Sequence, residues 1–323
     1  MGYGERHSQE PAHGDTKLRI LITGAKGTVG RHVTKKLTEQ GHEVTGLERF
    51  DLVDNDEYVK CDIVYPEEVN RAYADVKPDL TIHMAAEVGR LNCELFPERV
   101  LRANVMGTLN IAKACIENGS KLINFSTSEV YGEAFDYSEV QEDFMLNALG
   151  QTNIYAISKV TGEAIAKHYS HNYGLKALTV RPIMLYGEGE RPNKYRSALT
   201  NFVGQALKNQ PLTVHKGTLR AWCHYDDFTD GLSLLLDGDM IAYEAFNIGT
   251  EEYCPTEDLA RMVCQEVGAP ESLINLVDPP EHFLSPIKRV SLEKIKALGY
   301  SPKITLKEGI KRVVKWQRDK LLG

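Results

Sequence analysis

Tyr155 and Lys159, in the stretch NIYAISK, are the pair of side chains whose types and spacing best suit chemistry. Four residues apart on a helix, a phenol and an ammonium share one face. A tyrosine titrates near 10, so using it as a base at neutral pH requires a drop of about three units, or about 4 kcal/mol. An exposed ion pair supplies only about 0 to 1 kcal/mol. The pair must therefore sit in a partly desolvated site, where the Lys159 charge acts at low effective dielectric and holds the phenol down. A hydroxyl-rich stretch, STSEVYG from Ser126 to Gly132, precedes the pair near a predicted strand end.

A second feature lies near the start of the chain. LRILITGAKGTVG, from Leu18 to Gly30, is an apolar run followed by Gly24, Gly27 and Gly30, with Thr28 and Val29 between the last two. It predicts a strand, a tight turn and a helix start, whose free N–H groups and lack of Cβ atoms make a cradle for a pyrophosphate. The spacing is GxxGxxG where the usual dinucleotide fingerprint is GxGxxG. A second predicted strand, HEVTGLE, ends at Glu48, within the expected interval of roughly 20 residues for an acid that holds the adenosine ribose. A carboxylate there repels an extra 2′-phosphate and favours NAD. Arg49 is the residue a 2′-phosphate would want, so at the level of residues NADP stays open. Asp62 either reaches an adenine amino group or caps the helix that PEEV, Pro66 to Val69, begins. With a dinucleotide in the cradle, a cationic nicotinamide ring adds to Lys159 in lowering Tyr155.

These residues need a frame, and the chain has one. From the cradle onward strand-like and helix-like patterns alternate, which predicts an α/β fold of Rossmann type, a doubly wound parallel sheet covered on both faces. The candidate strands are Leu18 to Thr23, Glu43 to Glu48, Leu80 to Met84, Lys121 to Ser126 and Ala177 to Arg181. Amphipathic stretches run from Glu98 to Asn118 and from Thr152 to about Ser170. HMAAEVG, STSEVYG and RPIMLYG fall at or near strand ends on the carboxyl side, where such sheets bind ligands. Ala85 and Ala86 are small enough to let a cofactor lie against the chain. His83 reads as a structural histidine rather than a catalyst.

Composition narrows the function. The 323 residues carry a net charge of −7 with no long basic run, which argues against nucleic acid as a partner. Six cysteines show neither CxxC nor His/Cys ligand spacing, so no metal site is expected, and they read as reduced thiols of a cytoplasmic protein. No run is long and apolar enough to span a membrane. Residues 1–16, polar and without an apolar core, read as a mobile tail.

Taken in order, TGAKGTVG, the strand-end Glu48, HMAA, NVMGTLN, STSEVYG, YAISK, LRAWCHYDDF, FNIGT and the closing LGYSPKITLKEGIKRVVKW resemble an extended short-chain dehydrogenase/reductase of the NAD-dependent epimerase/dehydratase family, whose members remodel nucleotide sugars. The resemblance implies an NAD-binding domain at 17–181, completed by parts of 222–253, and a smaller substrate-binding domain made mainly from 182–323. It implies cofactor contacts from Gly24, Gly27, Thr28, Val29, Gly30, Glu48, Arg49, Asp62, Ile63, Ala85, Ala86, Asn104, Tyr155, Lys159 and Pro182. Glu87, Tyr186, Arg191 and Arg220 fall where the nucleotide diphosphate sugar would be held, and Asp227 where an aspartate caps a helix. Tyr155 would take a proton from a sugar hydroxyl, usually at carbon 4, with Thr127 hydrogen-bonded to the same oxygen and hydride passing to NAD. A homodimer is implied, joined through the tyrosine helix and the one before it.

The resemblance stops short of one reaction. Dehydratases of the family read Thr-Asp-Glu where this chain has Thr127, Ser128 and Glu129, which argues against dehydration. Thr-Ser-Glu resembles the UDP-glucuronate decarboxylases, whose tyrosine motif differs from YAISK and whose arginine position differs from YGEGER. Met184 replaces the asparagine of R-x-x-N-x-Y-G and offers no comparable donor. An epimerase is the expectation, a decarboxylase or 4,6-dehydratase the alternative, and a non-catalytic dinucleotide sensor the rival from another class.

Overall fold

The strand that leads into the glycines, β1 (Arg19–Thr23), is the axis of the molecule: Ile20, Leu21 and Ile22 are fully buried, as a strand covered on both faces requires. In the computed structural model, which describes residues 17–50, 58–136, 140–144, 146, 148–193, 196–236, 238, 240–279 and 289–322, β1 pairs with β2 (Glu43–Glu48) on one side. The expected tail at 1–16 lies outside the described residues. On the other side β1 pairs with β4 (Leu80–His83), while β3 (Tyr58–Lys60) extends the edge beyond β2. With β5 (Lys121–Phe125), β6 (Ala177–Pro182) and β11 (Glu244–Ile248) they form a seven-stranded parallel sheet ordered β11-β6-β5-β4-β1-β2-β3. The chain runs outward from β1 in both directions, so a cleft opens beyond the carboxyl ends of β1 and β4. The fold is the expected Rossmann-like one.

Helices connect the strands. α1 (Thr28–Glu39) starts directly after the second glycine of the cradle, holds the third in its first turn, and buries Val33 and Leu37. α2 (Pro66–Val76) begins on its proline with Glu67 and Glu68 in the first turn. After β4 come α3 (Arg90–Leu95) and α4 (Pro97–Leu101). A π-helical turn at Arg102–Met106 then leads into α5 (Gly107–Asn118). The single stretch expected from Glu98 to Asn118 is thus helical throughout but widened at its middle, as π-turns at functional sites often are. α6 (Ile154–Tyr173) is capped by Asn153, whose side chain accepts from the Ala156 N–H at 2.8 Å, and ends at Gly174 with φ of 71°.

Most of the remaining elements build a second buried cluster around Leu199, Phe202, Trp222, Leu259, Val263, Ile310 and Val313. The remaining elements are β7 (Leu185–Tyr186), α7 (Ala198–Leu207), β8 (Leu212–His215), β9 (Leu219–Ala221), β10 (Cys223–His224) and α8 (Tyr225–Ser233) before β11. After β11 follow β12 (Tyr253–Pro255), α9 (Thr256–Val267), β13 (Ile274–Val277), α10 (Glu293–Lys296) and α11 (Leu306–Gln317). Of these, β10, α8 and α10 pack Cys223, Phe228, Leu232 and Ile295 against the sheet. All six cysteines are buried and free. Among the described residues no helix is long and apolar enough to cross a membrane, and no cluster of His, Cys, Asp or Glu is disposed to hold a metal.

Candidate active site and dinucleotide cleft

The turn after β1 is built as the glycines predict. Gly24 adopts φ of 74° and its N–H reaches the Leu47 carbonyl at 3.0 Å; a Cβ there would lie 2.9 Å from the backbone of Ala85. A Cβ on Gly30 would collide with the Gly24 carbonyl, so the turn and α1 can close only with glycine at both places. Glu48 accepts a hydrogen bond from the Lys26 N–H at 2.6 Å, which ties the end of β2 to the cradle.

Thr23 and His83 shape the adjacent strand end. The Thr23 hydroxyl accepts from the Met84 and Ala85 N–H groups at 3.1 and 2.9 Å and lies 2.8 Å from His83 Nδ1. His83 Nε2 lies 3.1 Å from the Thr108 hydroxyl, which itself donates to the Asn104 carbonyl. Every polar atom is used if His83 accepts at Nδ1 and donates at Nε2, and burial pushes its pKa down to about 3, so it is neutral. The structural reading of His83 holds.

Around this frame lies a cleft of about 680 Å³, lined by Gly24, Gly27, Thr28, Val29, Gly30, Glu48, Arg49, Asp62, Ile63, Ala85 and Ala86, all of them expected toward a dinucleotide. Asp62 also accepts from the Val64 N–H at 3.1 Å in the turn before α2, but the residue preceding that helix is Tyr65. Thr28, Val29 and Gly30 place the N-terminus of α1 on the cleft, and with the close-packed glycines these donors fit a pyrophosphate. Sequence reasoning did not single out Arg99, Arg102 and Arg196, which also line the cleft.

A second cavity, of about 960 Å³, contains Thr127, Ser128, Glu129, Tyr155, Lys159, Pro182 and Arg220. It shares Val29, Met84, Ala86, Val88 and Leu185 with the first, so the two adjoin along one wall. Tyr155 stands on the first turn of α6, hydrogen-bonded to Thr127, and Lys159 one turn on donates from Nζ to the Phe125 carbonyl at 2.8 Å. The expectation joins Lys159 to a positive nicotinamide ring in lowering Tyr155, and Lys159 alone does not do so. Burial pushes the phenol up to about 12 against the opposing Thr127 hydrogen bond. Burial likewise brings Lys159 down to about 8, with Glu163 pulling the other way. Lys159 spends its proton on a backbone carbonyl, and the pair needs a further positive charge before the phenolate can form.

Several expected contacts lie elsewhere. Asn104 lines neither cavity: it accepts from the Glu87 N–H at 2.8 Å and donates to the Glu87 carbonyl and the Ser158 hydroxyl, both at 3.0 Å, so it holds the loop after β4 to α6. Glu87 lines the dinucleotide cleft rather than the Tyr155 cavity, paired with Arg49 at 3.2 Å and Arg99 at 3.1 Å. Tyr186 is fully buried in the second cluster with its ring edge-on to His224, out of reach of substrate. Arg191 is exposed and lines neither cavity. Asp227 is not a cap: it accepts from the Lys303 and Ile304 N–H groups at 2.7 and 3.0 Å, while His224 caps α8. Met184, at φ of 38°, lines the Tyr155 cavity and brings no hydrogen-bond donor comparable to asparagine to it. Gln205, Lys208, Gln210 and His215 line its far end and carry no motif that would have found them.

Comparison with known proteins agrees with this geometry. The profile of the NAD dependent epimerase/dehydratase family matches residues 20–249. Similar proteins include UDP-glucuronic acid decarboxylase 1 of Arabidopsis thaliana, 29% identical across 100% of this chain and 75% of its own length. A Methanocaldococcus jannaschii protein whose name proposes a UDP-glucose 4-epimerase is 30% identical across 93% of this chain and 98% of its own. Among solved structures, UDP-glucose 4-epimerase of Thermus thermophilus in complex with NAD superposes with a TM-score of 0.82 over 93% of this chain and 99% of its own, at 24% identity, and so speaks to the fold. The chain belongs to the NAD dependent epimerase/dehydratase family, and its cofactor is NAD.

Proposed function

We infer that the protein is a nucleotide-sugar epimerase that transiently oxidises the sugar, at carbon 4, with Tyr155 as the base. The observation that carries this reading is the shared wall: Thr127, Glu129, Tyr155 and Lys159 face one cavity, and that cavity meets the dinucleotide cleft along Val29, Met84 and Ala86. When bound, NAD supplies a hydride acceptor and, in its oxidised form, a positive ring of the kind the Tyr155 phenol needs. Thr127 then orients the sugar hydroxyl, Tyr155 takes its proton, and Lys159 steadies the phenolate from one helical turn away. Arg220 lines the same cavity, where a planar fork suits the sugar's pyrophosphate. Residues 182–323 would supply most of the substrate side and 17–181 most of the cofactor side. Cytoplasmic location and a homodimer complete the proposal. A full Thr127, Tyr155 and Lys159 set speaks against a mere dinucleotide sensor, which has no use for it.

A second reading has its own observation. Ser128 stands between Thr127 and Glu129, as in the decarboxylases, and Glu129 lines the cavity where it is placed to move a second proton. The experiment incubates wild type, Tyr155→Phe and Glu129→Gln with a panel of nucleotide sugars that includes UDP-glucuronate. It follows reduced nicotinamide, carbon dioxide and solvent deuterium in the product. Tyr155→Phe is expected to lose about a hundred- to ten-thousandfold in turnover, the range of a general acid–base group. Epimerised product without deuterium supports rotation of a 4-ketone, and deuterium supports an enolised intermediate. Carbon dioxide replaces the epimerase by the decarboxylase, and undiminished turnover in Tyr155→Phe rejects the mechanism.

A further inference from the structure

Arg49 stands beside Glu48 at the end of β2, where a guanidinium would be the natural partner of a 2′-phosphate, in a family that uses NAD. The structure shows what occupies it. Arg49 Nη1 lies 3.2 Å from Glu87 Oε1, and Glu87 Oε2 is held by Arg99 Nη2 at 3.1 Å and by the Asn92 amide at 3.2 Å. Glu87 is 9% exposed, and its backbone is fixed at both N–H and C=O by Asn104. Its carboxylate is therefore anchored, and Arg49 is the part of the arrangement that comes to it from across the cleft. The guanidinium also lies over the Phe50 ring, 4.8 Å from its centre, which limits where it can turn.

We propose that Glu87 determines cofactor choice by occupying Arg49, the cation beside Glu48 at the end of β2, so that it is not free for the 2′-phosphate of NADP. To bind that phosphate, Arg49 would have to abandon Glu87. One oxygen of a nearly buried carboxylate would then lose its partner and face a dianion. Glu48, held in the cradle by the Lys26 N–H at 2.6 Å, adds a second negative charge on the same side. NAD, without a 2′-phosphate, makes no such demand on Arg49. Glu87 thus acts through Arg49 as a positioning residue, which is why it lines the cleft without belonging to the Tyr155 cavity.

The test titrates the purified full chain with NAD and with NADP by calorimetry. It needs no sugar substrate, so it stands apart from the epimerase reading. In Glu87→Gln the preference for NAD over NADP is expected to fall at least about tenfold, the scale of one charge-assisted hydrogen bond to phosphate, mostly through tighter NADP binding. Adding Arg49→Ala to Glu87→Gln should cancel that gain. Arg49→Ala alone, an exposed change that tests the idea whether or not Glu87→Gln folds, should leave NADP affinity within about twofold, because the side chain is already engaged. The proposal is overturned by an unchanged preference in folded Glu87→Gln, by a gain that survives removal of Arg49, by loss of both cofactors in folded Glu87→Gln, or by a selective loss of NADP in Arg49→Ala alone.

Discussion

Lys159 is a buried ammonium with a carbonyl for a partner, and that combination has a cost that depends on pH. Its folded value is near 8 against an ordinary 10.5, so between those values the unfolded chain holds a proton that the folded chain has released. Stability therefore rises with pH across that window, in contrast to a paired carboxylate, whose contribution fades as pH falls. At about 1.4 kcal/mol per unit, wild type should gain about 3 kcal/mol on Lys159→Met between pH 8 and pH 10.5, with no relative change below pH 8. Urea titrations of both proteins across that range, without cofactor, provide the check; a flat difference would show that burial does not lower Lys159 and that it keeps its ordinary value in the folded protein. At this scale the sequence showed which side chains share a cavity better than it showed their surroundings. Tyr155, Lys159 and Thr127, which line one cavity, were legible because the proposed chemistry restricts residue type. The places of Glu87 and Tyr186 depend on partners distant in the chain, Arg49 for one and the second buried cluster for the other, which no local spacing displays.

The elements are tied to one another at the site by buried polar contacts. Arg181 on β6 makes a two-pronged pair with Glu163 on α6, at 3.0 and 2.7 Å, both side chains almost wholly buried. Arg181 also donates to the Tyr131 hydroxyl at 2.8 Å, and Tyr131 donates to Asn247 on β11 at 2.8 Å. One network thus joins the helix bearing Tyr155 and Lys159 to the segment following Thr127 and to the last strand of the sheet. Glu163→Gln strands a buried guanidinium and should cost about 3 to 5 kcal/mol in urea unfolding, whereas Glu163→Leu with Arg181→Met should recover much of it. A loss below about 1 kcal/mol for Glu163→Gln would mean that water reaches the pair. The five strands expected from apolar runs are all present. β3 spans three residues, too short to show a period, and β11 shows in the sequence only as the motif FNIGT because its alternation is interrupted by buried Asn247. The π-turn leaves no trace in composition: Arg102–Met106 reads as ordinary helix, and only the bonds of Asn104 show why the widening sits there.

Across the whole molecule, the described residues form two buried clusters that involve the parallel sheet and another around α7, α9 and α11, and the cleft at the carboxyl ends of β1 and β4 lies where the strand order predicts. What the chain leaves uncovered is as informative. Leu91, Leu95, Phe96, Leu101 and Met106, all at least 40% exposed, fall within the consecutive helical segments from α3 to the π-turn that precedes α5. Scattered exposed leucines need no explanation, but a run of large apolar side chains along one stretch suits a partner surface. It adjoins α5 and α6, the helices through which a homodimer was expected, and α6 also leaves Tyr173 61% exposed. A second copy of the chain seated there would cover this surface and brace the helix that carries Tyr155. Sedimentation velocity at micromolar concentration should accordingly give a dimer, and Leu95→Glu with Leu101→Glu should give a monomer whose melting temperature in the presence of NAD no longer rises with protein concentration. A wild-type monomer under those conditions, or a dimer indifferent to both glutamates, would place any assembly on another face.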